Sequence, residues 1–343
     1  MSKVRVGVIG AGRIAEGSHL PCLVRFPDVE LVVCDTVEAR RAVVRDKFGL
    51  TELRTDYRQM LRDDRLDAVF VLTPPLATHA VARDCLAAGI PTLMEKPPGM
   101  ATEETRDLLH TADQAATWGM VGVNRRFQPL LNQAKRMVEA NGPIATVIVE
   151  FYHFHMDILR GLGASETGLA QVLTSGCIHS IDLMRYLCGN VTEVYAHAGA
   201  YFDRHPDSFT AMVRFEGGAT ALFHNHLLGG VRSEKLTIHG RRASAYLEGL
   251  VNRCVVHQDE FTYDISNVAR GDPSAPQWSD RPQHAYANGW WDQARYFTDC
   301  VTANRPPGYP ASNLADAVRT MELIDAIRDQ VRGPISSPLE PTA

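Results

Sequence analysis

Glu95 and Lys96 stand at the end of an apolar run, in the segment LMEKPPGM. The run has the length and content of a buried strand, and Pro97 and Pro98 stiffen the backbone directly after the charged pair. A lysine at the exit of a strand can donate hydrogen bonds to a ribose hydroxyl and to the oxygen of a reacting alcohol. A surface ion pair is the other interpretation. The surrounding fold decides between these two interpretations. We also expect a cis peptide bond between Lys96 and Pro97.

A fingerprint of dinucleotide binding lies near the start of the chain. The segment GVIGAGRIAEG places Gly10, Gly12 and Ala15 in the pattern G-x-G-x-x-A, after an apolar strand and at the opening of a helix. The first glycine permits a tight turn, the second lets a pyrophosphate approach the backbone, and the small third residue lets the helix pack on the strand. The pattern predicts that Gly10, Gly12, Arg13 and Ile14 contact the cofactor.

Asp35 ends the second predicted strand, a little over twenty residues after Gly12. A carboxylate there can accept hydrogen bonds from both hydroxyls of an adenosine ribose, and it repels a 2'-phosphate. Arg40 and Arg41 follow closely, and one of them in reach of a phosphate would favour NADP instead. We interpret the arginines as an exposed helix face and expect NAD, with NADP as the alternative.

Two later strands are predicted to end at the same edge of the sheet. Thr73 and Pro74 close an apolar strand, so they are expected to wall the nicotinamide side of a cleft, because ligands of open parallel sheets bind at the carboxyl ends of the strands. His79 either joins them or caps the following helix. Glu95 and Lys96 end the next strand, and this position favours the active-site interpretation of the pair.

Length, charge and cysteine content exclude several classes of protein. The 343 residues exceed one typical core, so two domains are expected. A net charge of -5 and a pI near 6.2 give no basic surface for nucleic acid or an anionic membrane. Seven scattered cysteines indicate reduced thiols in a cytoplasmic protein, and no apolar run is long enough to cross a membrane.

The periodicity of apolar residues changes along the chain. Up to residue 123, short apolar runs alternate with amphipathic stretches, which predicts a doubly wound parallel sheet, the Rossmann arrangement. Residues 124–343 are predicted to form an α+β domain with an open, largely antiparallel sheet. Its signals are a long alternating strand at TVIVEFYHFHMD, a hairpin at Gly217 and Gly218, and a second hairpin in EKLTIHGRRASAYLEG.

Helices and one long loop complete the second half. We expect a helix from about Ser175 to Leu187, and a surface loop over residues 266–288, which are rich in proline, glycine and serine. Two helices follow, the last of which begins at a serine cap, Ser312.

Histidines alternate on two of the predicted strands. His153, His155 and Asp157 share one strand, and His224 and His226 share another. Such pairs suggest a metal site, but alternating polar residues are also typical of a sheet face that contacts water or another subunit. We favour the sheet face and expect no metal.

Five motifs together carry a resemblance to a known family. They are the fingerprint at 10–15, TPPLATH at 73–79, EKP at 95–97, NRRF at 124–127 and IHSIDLMRYL at 178–187. With the closing segment RPPGYPASNLADAVRTMELIDAI, the chain resembles the Gfo/Idh/MocA oxidoreductases from end to end. This resemblance implies hydride transfer between NAD(P) and a secondary alcohol on a sugar or cyclitol. It also implies a homodimer or homotetramer that associates through the open face of the second sheet.

The resemblance implies roles for residues of the second half. His179 becomes the proton-transfer residue beside Lys96, and Asp182, one turn further along the helix, orients the imidazole or contacts the substrate. By their position rather than by the resemblance, Asn124, Arg125 and Arg126 begin the second domain beside the cleft, and we expect one of them to contact nicotinamide or substrate and the others to be solvated. The candidates are Asn124 for the cofactor and Arg125 for the substrate.

Ser175 departs from the family pattern. The family usually carries an aspartate four residues before this histidine, and a serine can hydrogen-bond a substrate hydroxyl but cannot be a carboxylate base. Lys96 and His179 then act alone, or Asp157 replaces the missing carboxylate.

The sequence therefore predicts an NAD-dependent oxidoreductase of a polyhydroxylated ring. Two alternatives within the family are a sugar-nucleotide ketoreductase and an enzyme that cleaves a glycosidic bond with tightly held NAD. A third alternative, which Ser175 leaves open, is a regulatory protein that binds the dinucleotide without catalysis.

Overall fold

The chain forms two compact units in the computed structural model, which describes residues 3–154, 172–201, 206–249, 251–269 and 282–331. One unit contains Met1–Pro129 and Arg270–Val318, and the other contains Leu130–Ala269 and Arg319–Ala343. The predicted second domain, residues 124–343, includes residues 270–318, because nothing local in the sequence indicates that the chain returns to the first unit. The boundary between residues 123 and 124 stays a prediction.

A seven-stranded sheet forms the centre of the first unit. Its parallel strands are β1 (Val4–Ile9), β2 (Val29–Cys34), β3 (Leu53–Arg54), β4 (Ala68–Val71), β5 (Thr92–Glu95) and β6 (Gly119–Gly122). A short strand β15 (Ser312–Asn313) pairs antiparallel with β6, and the order is β15-β6-β5-β4-β1-β2-β3. The predicted doubly wound parallel sheet is confirmed.

Helices cover both faces of this sheet. They are α1 (Leu20–Leu23), α2 (Glu38–Phe48), α3 (Tyr57–Asp63), α4 (Pro75–Ala87), α5 (Thr102–Gln114), α8 (Gln283–Ala287), α9 (Trp290–Thr302) and the first turns of α10 (Leu314–Gln330). Alternate residues of β4 point to opposite cores, Phe70 to one and Val69 to the other. Phe70 meets Phe297 of α9 edge to face, with ring centroids 5.1 Å apart. This aromatic contact holds the returning segment on the unit.

Two predictions about the end of the chain are wrong. The loop expected over residues 266–288 contains helix α8, and its residues 270–281 lie outside the described ranges. Ser312 does not cap α10, since it is a buried residue of strand β15. Asn313 is the cap instead, because its Oδ1 accepts a hydrogen bond of 2.9 Å from the backbone N–H of Asp316.

An eight-stranded sheet forms the centre of the second unit, in the order β14-β13-β12-β11-β7-β10-β9-β8. The strands are β7 (Ile144–Phe154), β8 (Val191–Gly199), β9 (Ser208–Phe215), β10 (Thr220–His226), β11 (Leu228–Gly240), β12 (Ala243–Glu248), β13 (Arg253–Gln258) and β14 (Phe261–Asp264). All neighbours are antiparallel except β7 and β10. Both predicted hairpins, β9–β10 and β11–β12, are confirmed.

One face of this sheet is buried and the other is partly open. Helix α7 (Ile178–Cys188) contacts β7 and β10, while α6 (Pro129–Glu139) precedes the first strand. His153 lies on the buried face and stacks on Phe151 at 4.3 Å, so the open-face prediction is wrong for it. His224 and His226 lie on the open face, as predicted, and His155 is outside the described residues. In the described ranges, no group of three or more potential ligand side chains is arranged to hold a metal ion.

Among the described residues, no helix combines the length and the apolar content that a bilayer-spanning helix needs.

Candidate cofactor cleft and active site

A cleft of about 610 Å³ lies at the carboxyl ends of the parallel strands in the first unit. Most of the residues predicted to contact a cofactor line it: Gly10, Gly12, Arg13, Ile14, Asp35, Thr73, Pro74, Glu95 and Lys96. These residues come from four separate segments of the chain. The parallel sheet brings them together because each follows the end of a strand.

The glycine loop after β1 leaves room for a ligand. Gly10 has a φ of +99°, and a Cβ added there would lie 2.6 Å from the carbonyl oxygen of Leu72, so only glycine fits. At Gly12 an added Cβ would meet no described atom within 4 Å, which means that this backbone faces open space. The loop therefore has the two features that a pyrophosphate needs, a tight turn and an uncovered backbone.

Asp35 is buried at the end of β2 and held by backbone donors. Its carboxylate accepts hydrogen bonds from the N–H groups of Ala11 and Val37, both at 2.8 Å. The guanidinium of Arg40 lies 3.5 Å from the same carboxylate and is half exposed. Arg41 is not the exposed residue that we expected, because it donates to the carbonyl of Asp35 and pairs with Glu38. Each carboxylate oxygen of Asp35 keeps a lone pair for a ribose hydroxyl.

His79 does not line the cleft. It lies in the second turn of α4, where its Nε2 is 2.9 Å from Oδ2 of Asp107. The capping alternative is wrong as well, since α4 begins at Pro75 and no side chain caps it. The prolines that end the strand start this helix at once, which carries His79 away from the edge of the sheet.

Glu95 and Lys96 border the cleft at the end of β5. The peptide bond between Lys96 and Pro97 is cis, as predicted. Glu95 is only 7% exposed, and its Oε1 accepts a hydrogen bond from Nε2 of the fully buried His19 at 2.9 Å. The surface-ion-pair interpretation is therefore wrong for Glu95.

Sequence reasoning missed three further residues of this region. His19 follows the fingerprint in a π-helical turn (Ala15–His19), and no local pattern distinguishes it from its neighbours. Cys34 and Tyr57 line the cleft beside Asp35. Burial raises the pKa of Cys34 to about 11, and burial with a 2.8 Å hydrogen bond to Asp84 raises the pKa of Tyr57. Both groups are therefore neutral near pH 7 and supply no nucleophile.

The segment NRRF, residues 124–127, is buried rather than solvated. Asn124 donates a hydrogen bond of 2.7 Å to the carbonyl of Asn288, and Arg126 lies 2.7 Å from the carboxylate of Asp316. Arg125 is buried too, and neither it nor Asn124 lines the cleft. The expectation that the neighbours in this motif are solvated is wrong, because they hold the returning segment 282–318.

Helix α7 carries the candidate proton-transfer residue of the second unit. The helix begins at Ile178 rather than near Ser175, which lies in a preceding π-helical turn (Val172–Gly176). Ser175 and His179 are half-buried, and Asp182 is 1% exposed. Asp157 lies outside the described residues. The convergence of Lys96 and His179 on one substrate stays a prediction.

A buried hydrogen-bond chain holds Asp182 within the second unit. The hydroxyl of Thr320 donates to Oδ1 of Asp182 at 3.1 Å and accepts from Arg185 at 2.8 Å. This arrangement ties α7 to α10 and satisfies a carboxylate that would otherwise be costly to bury.

Family models match both halves of the chain. Residues 4–123 match the model of an oxidoreductase family with an NAD-binding Rossmann fold, Gfo/Idh/MocA, and residues 131–246 match the Gfo/Idh/MocA C-terminal domain. The chain belongs to the Gfo/Idh/MocA family. It is therefore an oxidoreductase that uses a nicotinamide dinucleotide, and the alternative of a regulatory protein without catalysis is not supported.

Relatives and a solved structure support the membership. An uncharacterized oxidoreductase, YrbE, of Bacillus subtilis (strain 168) is 30% identical over 237 residues, 65% of this chain and 67% of that protein. A scyllo-inositol 2-dehydrogenase (NAD(+)) of the same strain is 23% identical over 319 residues, 89% of this chain and 88% of that protein. The crystal structure of a dehydrogenase from Chromobacterium violaceum has a TM-score of 0.80 and 20% identity, and covers 96% of both chains. At that identity the structure shows the shared fold.

The first unit of this Gfo/Idh/MocA member fits the dinucleotide. The uncovered backbone at Gly12 suits the pyrophosphate, and the remaining lone pairs of Asp35 suit ribose hydroxyls. Thr73, Glu95 and Lys96 border the cleft on the other side of the glycine loop in the strand order, where the sequence predicts the nicotinamide end.

Proposed function

We propose that this chain is an NAD-dependent dehydrogenase of a secondary alcohol on a sugar, cyclitol or related polyhydroxylated ring. The observation that carries the proposal is the position of Lys96, which borders the same cleft as the glycine loop and Asp35. An ammonium at the nicotinamide end is placed to bind an oxygen on the carbon that exchanges hydride. The scyllo-inositol 2-dehydrogenase relative supports the substrate class.

The proposed preference for NAD over NADP follows from the environment of Asp35. Its carboxylate is fixed by two backbone donors, so it cannot turn away from a 2'-phosphate. Arg41 is engaged with Asp35 and Glu38, which leaves Arg40 as the nearby cation. One such group does not outweigh the repulsion of a buried carboxylate.

The proposed chemistry divides between Lys96 and His179. The dinucleotide, when bound, supplies the acceptor or donor of the hydride. Lys96 donates a hydrogen bond to the reacting oxygen and stabilises the negative charge that develops there. His179 accepts the hydroxyl proton at a ring nitrogen during oxidation and returns it during reduction, since imidazole titrates in the useful range.

Substrate recognition is proposed for polar residues near His179 in sequence. The hydroxyl of half-buried Ser175 can bind a ring hydroxyl in place of the usual carboxylate. The burial of Asp182 and its bond to Thr320 favour an orienting role over contact with substrate. Arg125 and Asp157 remain candidates for substrate contact.

A homo-oligomer through the second sheet is part of the proposal. The strand register lines up Tyr195, Met212, Leu222, Ile148, Thr237, Tyr246 and Val255 across the open face. Beside this apolar stripe runs a row of alternating charge: Glu150, Lys235, Glu248 and Arg253. A stripe of this kind, with both charge signs beside it, can pair with the same surface of a second copy of the chain.

We also propose a reducing, cytoplasmic location, which the seven free cysteines support.

The test is a reduction screen of NAD and NADP with cyclitols, aldoses, uronic acids and glycosides. We expect NADH to accumulate with at least one free ring alcohol. Lys96→Ala should lower that rate at least about a hundredfold while NADH still binds, because one charge-stabilising group at the reacting oxygen is lost. Lys47→Ala is the control, since that lysine forms an exposed ion pair with Glu16.

Other outcomes separate the alternatives. Cleavage of a glycoside without net NADH would favour the glycoside-cleaving member of the family, and activity confined to nucleotide-linked sugars would favour the ketoreductase. A Lys96→Ala variant with full activity would refute the role proposed for the lysine.

A further inference from the structure

A carboxylate that lines the cofactor cleft, that of Glu95, is held from behind by a buried histidine. His19 is 0% exposed, and its Nε2 lies 2.9 Å from Oε1 of Glu95. The second oxygen of Glu95 accepts a hydrogen bond of 3.2 Å from the backbone N–H of Lys96. A Cβ added at Gly122 would lie 3.1 Å from Oε1, so the backbone of β6 closes the space behind it. The carboxylate is therefore fixed at both oxygens while it borders the cleft.

The surroundings of His19 offer its ring one polar partner. Its Nδ1 is buried and has no hydrogen-bond partner among the described residues, and the ring packs edge to face on Phe70 at 5.8 Å. Nε2, which lies 2.9 Å from Oε1 of Glu95, is therefore the nitrogen through which the ring holds the carboxylate. The charged group of this pair that borders the cleft is the carboxylate of Glu95.

The strand order places this charge at one end of the cleft. Asp35, Thr55 and Tyr57 border the end formed by β2 and β3, and Glu95 borders the end formed by β5. The glycine loop follows β1, which lies between them. A dinucleotide with its pyrophosphate on that loop and its adenosine ribose on Asp35 has its nicotinamide ring at Glu95.

We propose that Glu95, positioned by His19, makes the cleft bind the oxidised cofactor in preference to the reduced one. The inference rests on the proposed orientation of the dinucleotide. The nicotinamide ring is a cation in NAD+ and neutral in NADH, whereas the rest of the molecule is the same. A fixed carboxylate near the ring therefore stabilises only the oxidised form, and poor screening in a partly enclosed cleft keeps this attraction substantial. Lys96 offsets part of it, so the loss of Glu95 leaves a net positive charge beside the ring.

The experiment measures the dissociation constants of NAD+ and NADH at pH 7.5 by calorimetry and NADH fluorescence. Glu95→Gln keeps the shape and hydrogen-bonding capacity and removes the charge. We expect the ratio of the dissociation constant of NADH to that of NAD+ to fall about tenfold in this variant. A change of this size corresponds to the loss of one screened charge pair. An unchanged ratio in a folded variant that binds both cofactors would overturn the inference.

Variants of His19 test the positioning role separately. His19→Gln keeps an N–H donor near the place of Nε2 and should retain the wild-type ratio, whereas His19→Leu removes the donor and should lower it. A purely structural role would change both affinities by the same factor and leave the ratio alone, which would contradict the proposal. These two variants also decide the matter if Glu95→Gln fails to fold.

Asp35→Asn is the matched control at the other end of the cleft. It should weaken NAD+ and NADH equally, because the adenosine ribose is the same in both. A chain that binds neither cofactor in wild-type form, or whose ratio responds to Asp35→Asn and not to Glu95→Gln, would refute the proposed function and orientation. Equal weakening by Asp35→Asn with no effect of Glu95→Gln would refute only the role of Glu95.

Discussion

At the scale of single residues, Gly10 is the position where the backbone depends most on one residue type. Gly10→Ala places a Cβ 2.6 Å from the carbonyl oxygen of Leu72 at a φ of +99°. We expect a loss of about 1–3 kcal/mol in the free energy of unfolding, because both the conformation and the contact are unfavourable. NADH affinity should fall with it. Urea unfolding and NADH fluorescence measure the two effects.

Gly217→Ala is the control for this residue. An added Cβ there meets no described atom within 4 Å, so stability should change by less than about 0.5 kcal/mol. Equal stability of the Gly10→Ala variant and the wild type would contradict the account of the loop.

Residues whose position follows from a local pattern were predictable from the sequence. Gly10, Asp35 and Lys96 each follow an apolar strand, and the edge of a parallel sheet brings them to one cleft. The contact of His19 with Glu95 spans 76 positions and has no local signal. His79 was placed wrongly because the helix that begins at Pro75 turns it toward Asp107.

At the scale of elements, α9 is joined to the loop before β2 by a bidentate ion pair. Arg295 donates to both oxygens of Asp28, at 2.8 and 2.9 Å, and its guanidinium lies over Phe26 at 4.8 Å. Arg295→Ala should lower the free energy of unfolding by about 1 kcal/mol at pH 7, since the pair is only partly buried. Urea unfolding measures this loss.

The stabilisation by the ion pair of Asp28 and Arg295 has a predictable pH dependence. The hydrogen bonds from Arg295 lower the pKa of Asp28 below its ordinary 3.8, so the stabilisation is complete above that value. It is lost as the pH falls through the lower, folded value, and the difference between variant and wild type should shrink there. Arg45→Ala, whose contacts with Glu38 and Asp46 are exposed and at least 3.5 Å long, should cost little at any pH. An Arg295→Ala loss no larger than this control would contradict the assignment.

Helices and strands with a regular spacing of apolar residues were predictable from the sequence. Contacts between segments far apart in the chain were not. The strands β1, β2, β4, β5, β6 and β7 and both hairpins followed from apolar spacing and from turn glycines, whereas β3, β8, β13, β14 and β15 were not predicted. The packing of Phe297 on Phe70 joins segments more than two hundred residues apart, and periodicity cannot indicate such a contact. The cap of α10 was shifted to Asn313 because pairing with β6 extends the chain through Ser312.

At the scale of the whole molecule, we propose that association depends on the apolar stripe on the second sheet. Leu222→Glu places a charge at the centre of the stripe and should shift the proposed oligomer to monomer in light scattering, because an unpaired charge is costly to bury. Glu193→Gln is the control, because Glu193 is exposed on β8, the edge strand of the second sheet. Wild-type chain that is already monomeric at high concentration would contradict the proposed interface.

The central claim is that Lys96 and His179 act on one bound alcohol. A double-mutant cycle on the single-turnover rate of NADH formation, with the substrate that the screen identifies, tests it most directly. Lys96→Ala and His179→Ala should each lower the rate at least about a hundredfold, and the double variant should be only a few-fold slower than the worse single variant, because residues that act as a unit are not additive. Fully additive losses, or a wild-type rate in either single variant, would contradict the account.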